Sequence, residues 1–459
     1  MNDRLRQVLP ALRRALAADE LRVDDATRAA HAGDKWFASH LPDIVALPKT
    51  AEAVAAVLRI AHEHRVPVTP RGAGYGYVGG CVPVKGGIAL SVARMNRIQE
   101  INPRDFVAVV QPGVITAKLQ AAVEKRGLYY PPDPASRADC SLGGNIATNA
   151  GGPRCLKYGV TRDYVLGLQV ALADGRLVRL GSRCHKNKTG FDLHRVFVGS
   201  EGLLGVVTEA TLKLLPLPPY RALLGVGFDT TRGAARSLAA LFKAGFLPCA
   251  LEIADEFTLA AAYQRTKSEQ LAGCRAMLFV ELDGQERSVR AELADVEQLI
   301  AGQKPVFINR AFGPAEVDTL WGLRREFSYS LRDTGLTKLN EDIAVPRGRL
   351  EELFRFAARL QKKHSLPIAC FGHAGDGNIH VNVMVDYTQP DSRPRADAAL
   401  DDLFRQILAW GGVITGEHGI GLAKKPWWPI AANEDVRDLH RAVKRALDPR
   451  GILNPGKFV

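Results

Sequence analysis

A glycine-rich segment follows a strand–helix–strand pattern near the N-terminus and restricts what the chain can fold into. Residues 42–69 read as a strand, a helix with Thr50 as its N-cap, and a second strand. The next segment is 70–80, in which five of the nine residues from 72 to 80 are glycines. Glycine permits positive φ and close approach, so the backbone N–H groups of such a loop can surround a phosphate. No helix follows directly, and no Lys-Ser/Thr pair does either, so neither a Rossmann nor a P-loop fingerprint is present. The loop alone indicates a phosphate site or tight packing.

Two more segments repeat this composition later in the chain. Residues 140–152 combine glycines with small and amide side chains, and residues 199–208 contain three further glycines. Small residues leave room for a flat ligand, and amides give it directed hydrogen bonds. Three such segments in one domain suggest a single extended cofactor that carries phosphate.

A histidine-rich pattern occupies the C-terminal half. Residues 367–385 predict two short strands joined by a glycine-rich hairpin, which can bring His373 and His380 together. Glu417, in Gly-Glu-His-Gly, can add an oxygen, and this set of ligands suits Zn²⁺, Mn²⁺, Fe²⁺ or Co²⁺. His418 would then be the spare group. The alternative is that these are hydrogen-bonded histidines in turns.

The totals limit the class of protein. A chain of 459 residues with 46% apolar residues predicts two or three globular domains. The net charge of +12 is compatible with anionic substrates and an acidic partner or membrane surface. No basic-aromatic cluster accompanies it, so we expect no nucleic-acid binding.

The cysteines and the apolar segments indicate the cellular compartment of the protein. The seven cysteines are scattered without a CxxC pair, which fits a reducing compartment and argues against an iron–sulfur cluster in this chain. We find no run of eighteen apolar residues and no signal-peptide core. An N-terminal leucine-rich helix among arginines is either surface-seeking or packed on the protein's own core, and packing is the favoured reading. We therefore predict a cytoplasmic protein, with a peripheral position on the inner face of a membrane as the alternative.

Taken together and in order, these motifs resemble a known family. They are PRGAGYGYVGG (70–80), PPDPAS with SLGGNIATNAGG (131–152), KNKTGFDL (186–193), VGSEGLLGVVTEATLKL (198–214), HAGDGNIH (373–380), GEHGIG (416–421) and LDPRGILNPGK (447–457). The set resembles the FAD-linked oxidases of the vanillyl-alcohol-oxidase or p-cresol-methylhydroxylase (PCMH) type, and within them the D-lactate, D-2-hydroxyglutarate and glycolate dehydrogenase branch. The resemblance implies an α+β fold: an N-terminal helical segment (1–36), a two-part PCMH-type FAD-binding domain (37–218), and a ferredoxin-like α+β substrate domain with a C-terminal helical segment (219–459).

The same resemblance implies which residues bind FAD. They are Pro70, Arg71, Gly72, Ala73, Gly74, Tyr75, Gly76, Gly79, Gly80, Pro132, Asp133, Ser136, Cys140, Ser141, Gly143, Gly144, Asn145, Thr148, Asn149, Gly151, Gly152, Gly202, Val206, Val207 and Asn454. The 70–80 loop has no histidine, so we expect non-covalent FAD, with Cys140 the position to watch for attachment. Related loops often have hydroxyl residues where Tyr75 and Val78 stand here, so backbone amides must bind more of the pyrophosphate.

The resemblance also implies a mechanism. Flavin N5 takes the hydride from the substrate Cα, His418 takes the hydroxyl proton, and an ion on His373, His380 and Glu417 polarises the substrate oxygens. The substrate residues are Arg324, Ser328, Asn340 and Asn382. A D-lactate-like acid is favoured because residues 339–346 look nearer to the lactate enzymes. A D-2-hydroxyglutarate dehydrogenase and the FAD subunit of a glycolate oxidase are the alternatives.

Partners follow from the chemistry. Reduced flavin must pass electrons to a separate acceptor, such as an electron-transfer flavoprotein, an iron–sulfur subunit or a quinone, and a homodimer is compatible with the sequence. Two other classes compete: a metal-dependent hydrolase, which leaves the three glycine-rich segments unexplained, and an inactive flavin-binding subunit, which would not need His418 and its neighbouring ligands.

Overall fold

The computed structural model describes residues 3–459, with side chains from Leu5 onward. The helices are α1 (Asp3–Ala15), α2 (Asp25–Ala30), α3 (Ala51–His64), α4 (Thr116–Glu124), α5 (Leu142–Thr148), α6 (Cys155–Tyr158), α7 (Leu193–Phe197), α8 (Thr231–Lys243), α9 (Glu256–Thr266), α10 (Glu286–Ala301), α11 (Gly313–Arg332), α12 (Leu350–His364), α13 (Ser392–Ala409), α14 (Trp428–Ala431) and α15 (Glu434–Leu447).

The strands alternate with these helices. They are β1 (Leu21–Arg22), β2 (Ile44–Ala46), β3 (Val68–Arg71), β4 (Ile88–Ser91), β5 (Ile98–Asn102), β6 (Val107–Val110), β7 (Leu128–Tyr129), β8 (Val165–Ala171), β9 (Leu177–Gly181), β10 (Val206–Lys213), β11 (Leu215–Pro216), β12 (Tyr220–Phe228), β13 (Ala250–Asp255), β14 (Ala276–Gly284), β15 (Phe307–Phe312), β16 (Thr337–Ala344), β17 (Ile368–His373) and β18 (Asn378–Val385).

The chain divides into two compact units that are not continuous in sequence. The first unit contains the residues through Gly151, then Val160–Leu217 and Glu417–Val459. The second unit contains Gly152–Gly159 and Pro218–Gly416. The C-terminal segment therefore folds with the N-terminal half.

The first unit is built on two larger sheets and a two-stranded one. The first has the order β1-β2-β4-β3, and the second is antiparallel with the order β5-β6-β10-β8-β9. The predicted strand–helix–strand pattern is confirmed: α3 connects β2 to β3, and Thr50 caps it by accepting a hydrogen bond from Ala53 N at 3.1 Å. The glycine-rich loop begins at the end of β3.

The N-terminal helix packs on the core of this unit. Leu5, Val8 and Leu12 recur at helical spacing, and each is almost fully buried against the cluster that includes residues of α3. This confirms the favoured reading over a surface-seeking helix. No helix among the described residues combines the length and apolar character needed to cross a bilayer.

The second unit is a seven-stranded antiparallel sheet with the order β15-β12-β14-β13-β17-β18-β16. Every residue of β17 and β18 is buried, because α9 and α11 pack on the sheet in one layer and α8, α10, α12 and α13 form another. The predicted glycine hairpin joins β17 to β18. Gly377 is required in its turn, since φ is +85° and a Cβ there would lie 2.1 Å from the carbonyl oxygen of Val345.

The burial of the N-terminal helix gives a stability prediction. Leu12→Ala should lower the free energy of unfolding by about 2–5 kcal/mol, because it removes a fully buried side chain. Leu439→Ala is the matched control in a helix, since Leu439 is 67% exposed; its effect should stay within about 0.5 kcal/mol. Chemical denaturation followed by circular dichroism measures both, and equal losses would contradict the packing of α1.

Candidate active site

In the first unit, the glycine-rich loop is fastened to the start of α5. Ser141 Oγ accepts hydrogen bonds from Ala73 N at 3.1 Å and from Gly144 N at 3.4 Å. A Cβ at Gly72 would lie 2.5 Å from the same oxygen, so only glycine allows this approach. Two of the three glycine-rich segments therefore meet around Ser141.

The loop also presents backbone donors. Gly74 has φ of +74°, a conformation that favours glycine. Among the described residues, the N–H groups of Gly74 and Gly76 donate no hydrogen bond, whereas the Gly76 carbonyl accepts one from Lys35 N. Such N–H groups suit the oxygens of a phosphate. The loop thus fits the pyrophosphate of FAD.

The C-terminal Asn454 joins this loop to the third glycine-rich segment. Its Nδ2 donates to the carbonyl oxygens of Gly80 and Glu201, both at 2.8 Å. Its Oδ1 is buried and accepts no hydrogen bond from the described residues. A buried acceptor without a donor is unusual in a protein interior, and a cofactor N–H at this position would satisfy it.

The thiol of Cys140 is an unpromising site of covalent attachment. It is buried, and its Sγ lies 3.3 Å from the hydroxyl of Thr116. Burial raises the pKa of this thiol, so it stays protonated and weakly nucleophilic. Asn145 donates to the same hydroxyl at 2.7 Å, so both side chains belong to one internal network.

The other predicted cofactor residues lie in several places. The Arg71 side chain donates to the carbonyl of Gly33, and the Pro132 carbonyl accepts from Gln120. Gly152 begins the short segment that belongs to the second unit. The remaining positions belong to the first unit: Pro70 in β3, Tyr75 and Gly79 in the loop, Asp133 and Ser136 before α5, Gly143, Thr148, Asn149 and Gly151 in or after it, and Gly202, Val206 and Val207 at or just before the start of β10.

In the second unit, two histidines meet at the buried end of the sheet. His373 ends β17 and His380 lies in β18, and their ring centroids are 5.6 Å apart with an interplanar angle of 80°. Both rings are more than nine-tenths buried. Glu252, directly opposite His373 on β13, accepts a hydrogen bond from its Nδ1 at 2.5 Å. The hairpin thus brings the two predicted ligands together.

Glu252 also binds Arg324, which sequence reasoning assigned to the substrate. Its Oε2 accepts from Nε of Arg324 at 2.7 Å and from Nη2 at 2.6 Å, and the guanidinium lies 4.9 Å from the ring centroid of Phe371. Burial opposes ionisation of Glu252, but the neighbouring His373 and Arg324 outweigh it and lower the pKa of this carboxyl to about 2. Glu252 therefore remains a carboxylate.

The remaining predicted substrate residues lie beside this group. Ser328, one turn beyond Arg324, accepts a hydrogen bond from Lys338 Nζ at 2.7 Å. Burial and the nearby Arg332 lower the pKa of Lys338 to about 8. Asn340 and Asn382 face each other across β16 and β18, as the strand register pairs them.

Both amides have a buried oxygen, and the nitrogen of Asn382 is bonded within the sheet. Nδ2 of Asn382 donates to the carbonyl oxygens of Ala369 and His380, both at 3.0 Å, so this amide is committed to the sheet. The Oδ1 atoms of Asn340 and Asn382 are buried and accept no hydrogen bond from the described residues. Each keeps one acceptor for a ligand's hydroxyl.

A buried aspartate fixes the chain just before Glu417. Oδ2 of Asp342 accepts from the hydroxyl of Thr415 and from Gly416 N, both at 2.9 Å, while its Oδ1 accepts from Asn378 at 2.7 Å. A Cβ at Gly416 would lie 2.3 Å from Asn378, so glycine is needed there. Glu417 is the next residue along the chain.

In the first unit, the turn that carries His418 is held by groups from two other segments. The His418 ring stacks on Tyr77 with a centroid distance of 5.3 Å and an interplanar angle of 27°. Buried Glu201 accepts hydrogen bonds from Ile420 N and Gly421 N, both at 2.8 Å. Burial raises the pKa of Glu201, although these two donors act against it.

Comparison with known proteins gives the class. A family model described as "FAD binding domain" matches residues 42–181. A second, described as "FAD linked oxidases, C-terminal domain", matches residues 217–458. The protein is thus a flavin-dependent oxidoreductase with a PCMH-type fold. It belongs to the FAD-linked oxidase family, and the resemblance drawn from the motifs is confirmed.

Several relatives are similar over most of their length. The glycolate oxidase subunit GlcD of Bacillus subtilis is 39% identical, covering 91% of this chain and 89% of the relative. A D-lactate dehydrogenase of Anaerostipes hadrus is 31% identical over 100% of this chain and 97% of its own. A D-2-hydroxyglutarate dehydrogenase of Stutzerimonas stutzeri is 33% identical, with 91% of each chain covered.

Solved structures support the fold. A p-cresol methylhydroxylase structure aligns with a TM-score of 0.82 at 19% identity, covering 100% of this chain and 97% of the other. The 4-ethylphenol oxidase of Gulosibacter chungangensis aligns with a TM-score of 0.80 at 20% identity, with the same coverage.

The close contact at Gly72 gives a prediction for FAD retention. Gly72→Ala should lower the FAD bound per chain, because the added methyl group meets Ser141 Oγ and pushes the loop from α5. Gly348→Ala is the control, since its Cβ would meet nothing within 4 Å. Flavin absorbance relative to protein after gel filtration measures the effect. Equal retention in the two variants would show that the contact between loop and helix does not form the site.

Proposed function

We propose that this protein oxidises a D-2-hydroxy acid to the 2-oxo acid with FAD as the electron acceptor. Glycolate and D-lactate, named in two relatives, and D-2-hydroxyglutarate, named in a third, are all 2-hydroxy acids. The observation that carries the proposal is the group at the end of the second unit's sheet, where two histidines and a carboxylate-bound arginine lie together. When bound, FAD would supply the two-electron acceptor, with its N5 position as the expected site for the hydride of the substrate Cα.

A divalent ion, most simply Zn²⁺, is part of this proposal. His373, His380 and Glu417 would bind it, with Mn²⁺, Fe²⁺ or Co²⁺ as other occupants of the same ligand set. The packed ring pair supports the two histidines, and Asp342 supports Glu417 by fixing the residue before it. The ion would supply Lewis-acid chemistry that lowers the pKa of the substrate hydroxyl.

Arg324 is the proposed partner of the substrate carboxylate. Its Nε and Nη2 are bound to Glu252, and Nη1 makes no hydrogen bond with the described residues. A guanidinium already oriented by a buried carboxylate loses little freedom when it binds a second one. Asn340, Asn382 and Ser328 would contact the rest of the substrate.

A D-lactate-like acid is our favoured substrate, and one observation supports a dicarboxylic alternative. Lys338 is a buried amine whose hydrogen bond within the described residues is to the neutral hydroxyl of Ser328. A second substrate carboxylate, as in D-2-hydroxyglutarate, would pair with it. Glycolate is the third candidate because of the GlcD relatives.

His418 is the proposed base for the hydroxyl proton. A neutral imidazole accepts a proton readily near neutral pH. The stacked Tyr77 ring restricts its rotation, and the two hydrogen bonds to Glu201 hold the turn that follows it. His418 can therefore be kept in one orientation when the substrate arrives.

The cofactor and its surroundings complete the proposal. FAD is held non-covalently, which the absence of histidine in the 70–80 loop and the protonated Cys140 thiol support. All seven cysteines are free, which supports a reducing, cytoplasmic location, with the inner membrane face as the alternative. The electrons leave to a separate acceptor: an electron-transfer flavoprotein, an iron–sulfur subunit or a quinone. A homodimer is compatible with this arrangement.

Anaerobic mixing with a panel of 2-hydroxy acids tests the function. D-Lactate-like acids should bleach the flavin absorbance, while their L-enantiomers should do so poorly. His418→Ala should slow the bleaching by about 10²–10⁴ because a positioned base is lost. His440→Ala, a histidine that contacts Trp428 near the C-terminus, is the control and should retain the wild-type rate. Bleaching that is equally fast in His418→Ala would refute the assigned base, and no bleaching by any acid of the panel would refute the function.

A further inference from the structure

A buried carboxylate that no sequence motif marks lies between the proposed metal ligand and the proposed substrate arginine. Glu252 lies in β13, a central strand of the sheet with β14 and β17 as its neighbours. Its side chain is fully buried. One of its oxygens accepts from His373, and the other accepts twice from Arg324. We infer that Glu252 is a positioning residue that orients both groups, an inference that rests on the proposed function.

The contact with His373 selects a tautomer. A carboxylate only accepts hydrogen bonds, so the 2.5 Å contact requires the proton on Nδ1 of His373. The ring's lone pair is then on Nε2, the atom that would bind the ion. A carboxylate behind a ligating imidazole also fixes the ring plane and raises the basicity of the nitrogen toward the metal.

The contact with Arg324 sets the direction of the guanidinium. Two hydrogen bonds that converge on one oxygen, together with packing against the Phe371 ring, leave the guanidinium little rotational freedom. Because the two oxygens belong to one rigid carboxylate, the ligand and the arginine are held relative to each other. Gln at this position keeps the size of the side chain but has only one acceptor oxygen and a donating NH₂ group. Either one of the two contacts is then lost, or the NH₂ group donates to Nδ1 of His373 and moves the ring proton to Nε2, the atom that would bind the ion.

The same sheet contains a matched carboxylate for comparison. Glu281 on β14 is also fully buried, and it accepts from Arg154, Arg221 and the indole N–H of Trp321. It contacts no proposed ligand of the ion. Glu281→Gln therefore removes a carboxylate charge that is as deeply buried as that of Glu252, and it leaves the contacts of His373 unchanged.

Titration of the metal-free, FAD-bound protein with Zn²⁺ against a competing chelator tests the inference. Glu252→Gln should weaken Zn²⁺ binding by about 10–100-fold, the usual effect of losing a carboxylate behind a metal-bound histidine. Glu281→Gln should bind Zn²⁺ like the wild type. Glu252→Asp, which keeps the charge but is shorter, should show an intermediate loss.

The outcomes separate this inference from the proposed function. If the wild type binds no divalent ion, the metal site of the proposed function is wrong and the role of Glu252 falls with it. If the wild type binds Zn²⁺ and Glu252→Gln binds it as tightly as Glu281→Gln does, only the inference about Glu252 is overturned.

A second measurement needs no variant of Glu252 and covers the case in which Glu252→Gln does not fold. Nitrogen-15 spectra of the metal-free protein at alkaline pH report which nitrogen of each imidazole carries the proton, and His373→Gln assigns the signal. The inference predicts the Nδ1-protonated tautomer for His373. The Nε2-protonated tautomer would overturn it.

Discussion

The register of the β17–β18 hairpin decides which side chains reach the buried end of the second unit's sheet. His373 is paired with Asn378 and Phe371 with His380 in this register. A shift by one residue would move each side chain of one strand to the opposite face, because side chains alternate along a strand. Gly377, with its positive φ and the carbonyl of Val345 close behind it, holds the turn that sets this register. The pairing of the two imidazoles depends on that turn.

Buried carboxylates then organise what the register brings together. Glu252, Glu281 and Asp342 are fully buried, and Glu201 is nearly so; each accepts several hydrogen bonds from cationic, side-chain or backbone donors. Removing a charged group from water costs several kcal/mol, so each of these sites needs its full set of donors. This requirement links distant segments: Glu252 and His373 are 121 residues apart in sequence. Such groups add little net stability compared with apolar packing, and their value here is geometric.

Local patterns were sufficient for much of the fold. The Thr50 cap, the leucine spacing of α1 and the hairpin that contains His373 follow from short-range rules, and the structure has all three. The glycine-rich segments predicted one extended cofactor that carries phosphate, and the resemblance of the whole motif set identified that cofactor as FAD, with which the family match agrees. Glu252, Glu201 and Asp342 could not be found in this way. A single acidic residue within a strand or loop has no spacing to recognise, and its meaning depends on partners that only the tertiary fold supplies. For Glu252, the available signal was an acidic residue in the middle of the mostly apolar strand Ala250–Asp255.

Crystals of the FAD-bound protein grown with Zn²⁺ allow the most direct measurement. Anomalous scattering collected above and below the zinc absorption edge locates the ion without reference to activity. The account predicts one strong anomalous peak within coordination distance of His373, His380 and Glu417, at about 2.0–2.3 Å from the ligand atoms. A map without a peak between the two imidazoles, from crystals that show bound FAD, would contradict it.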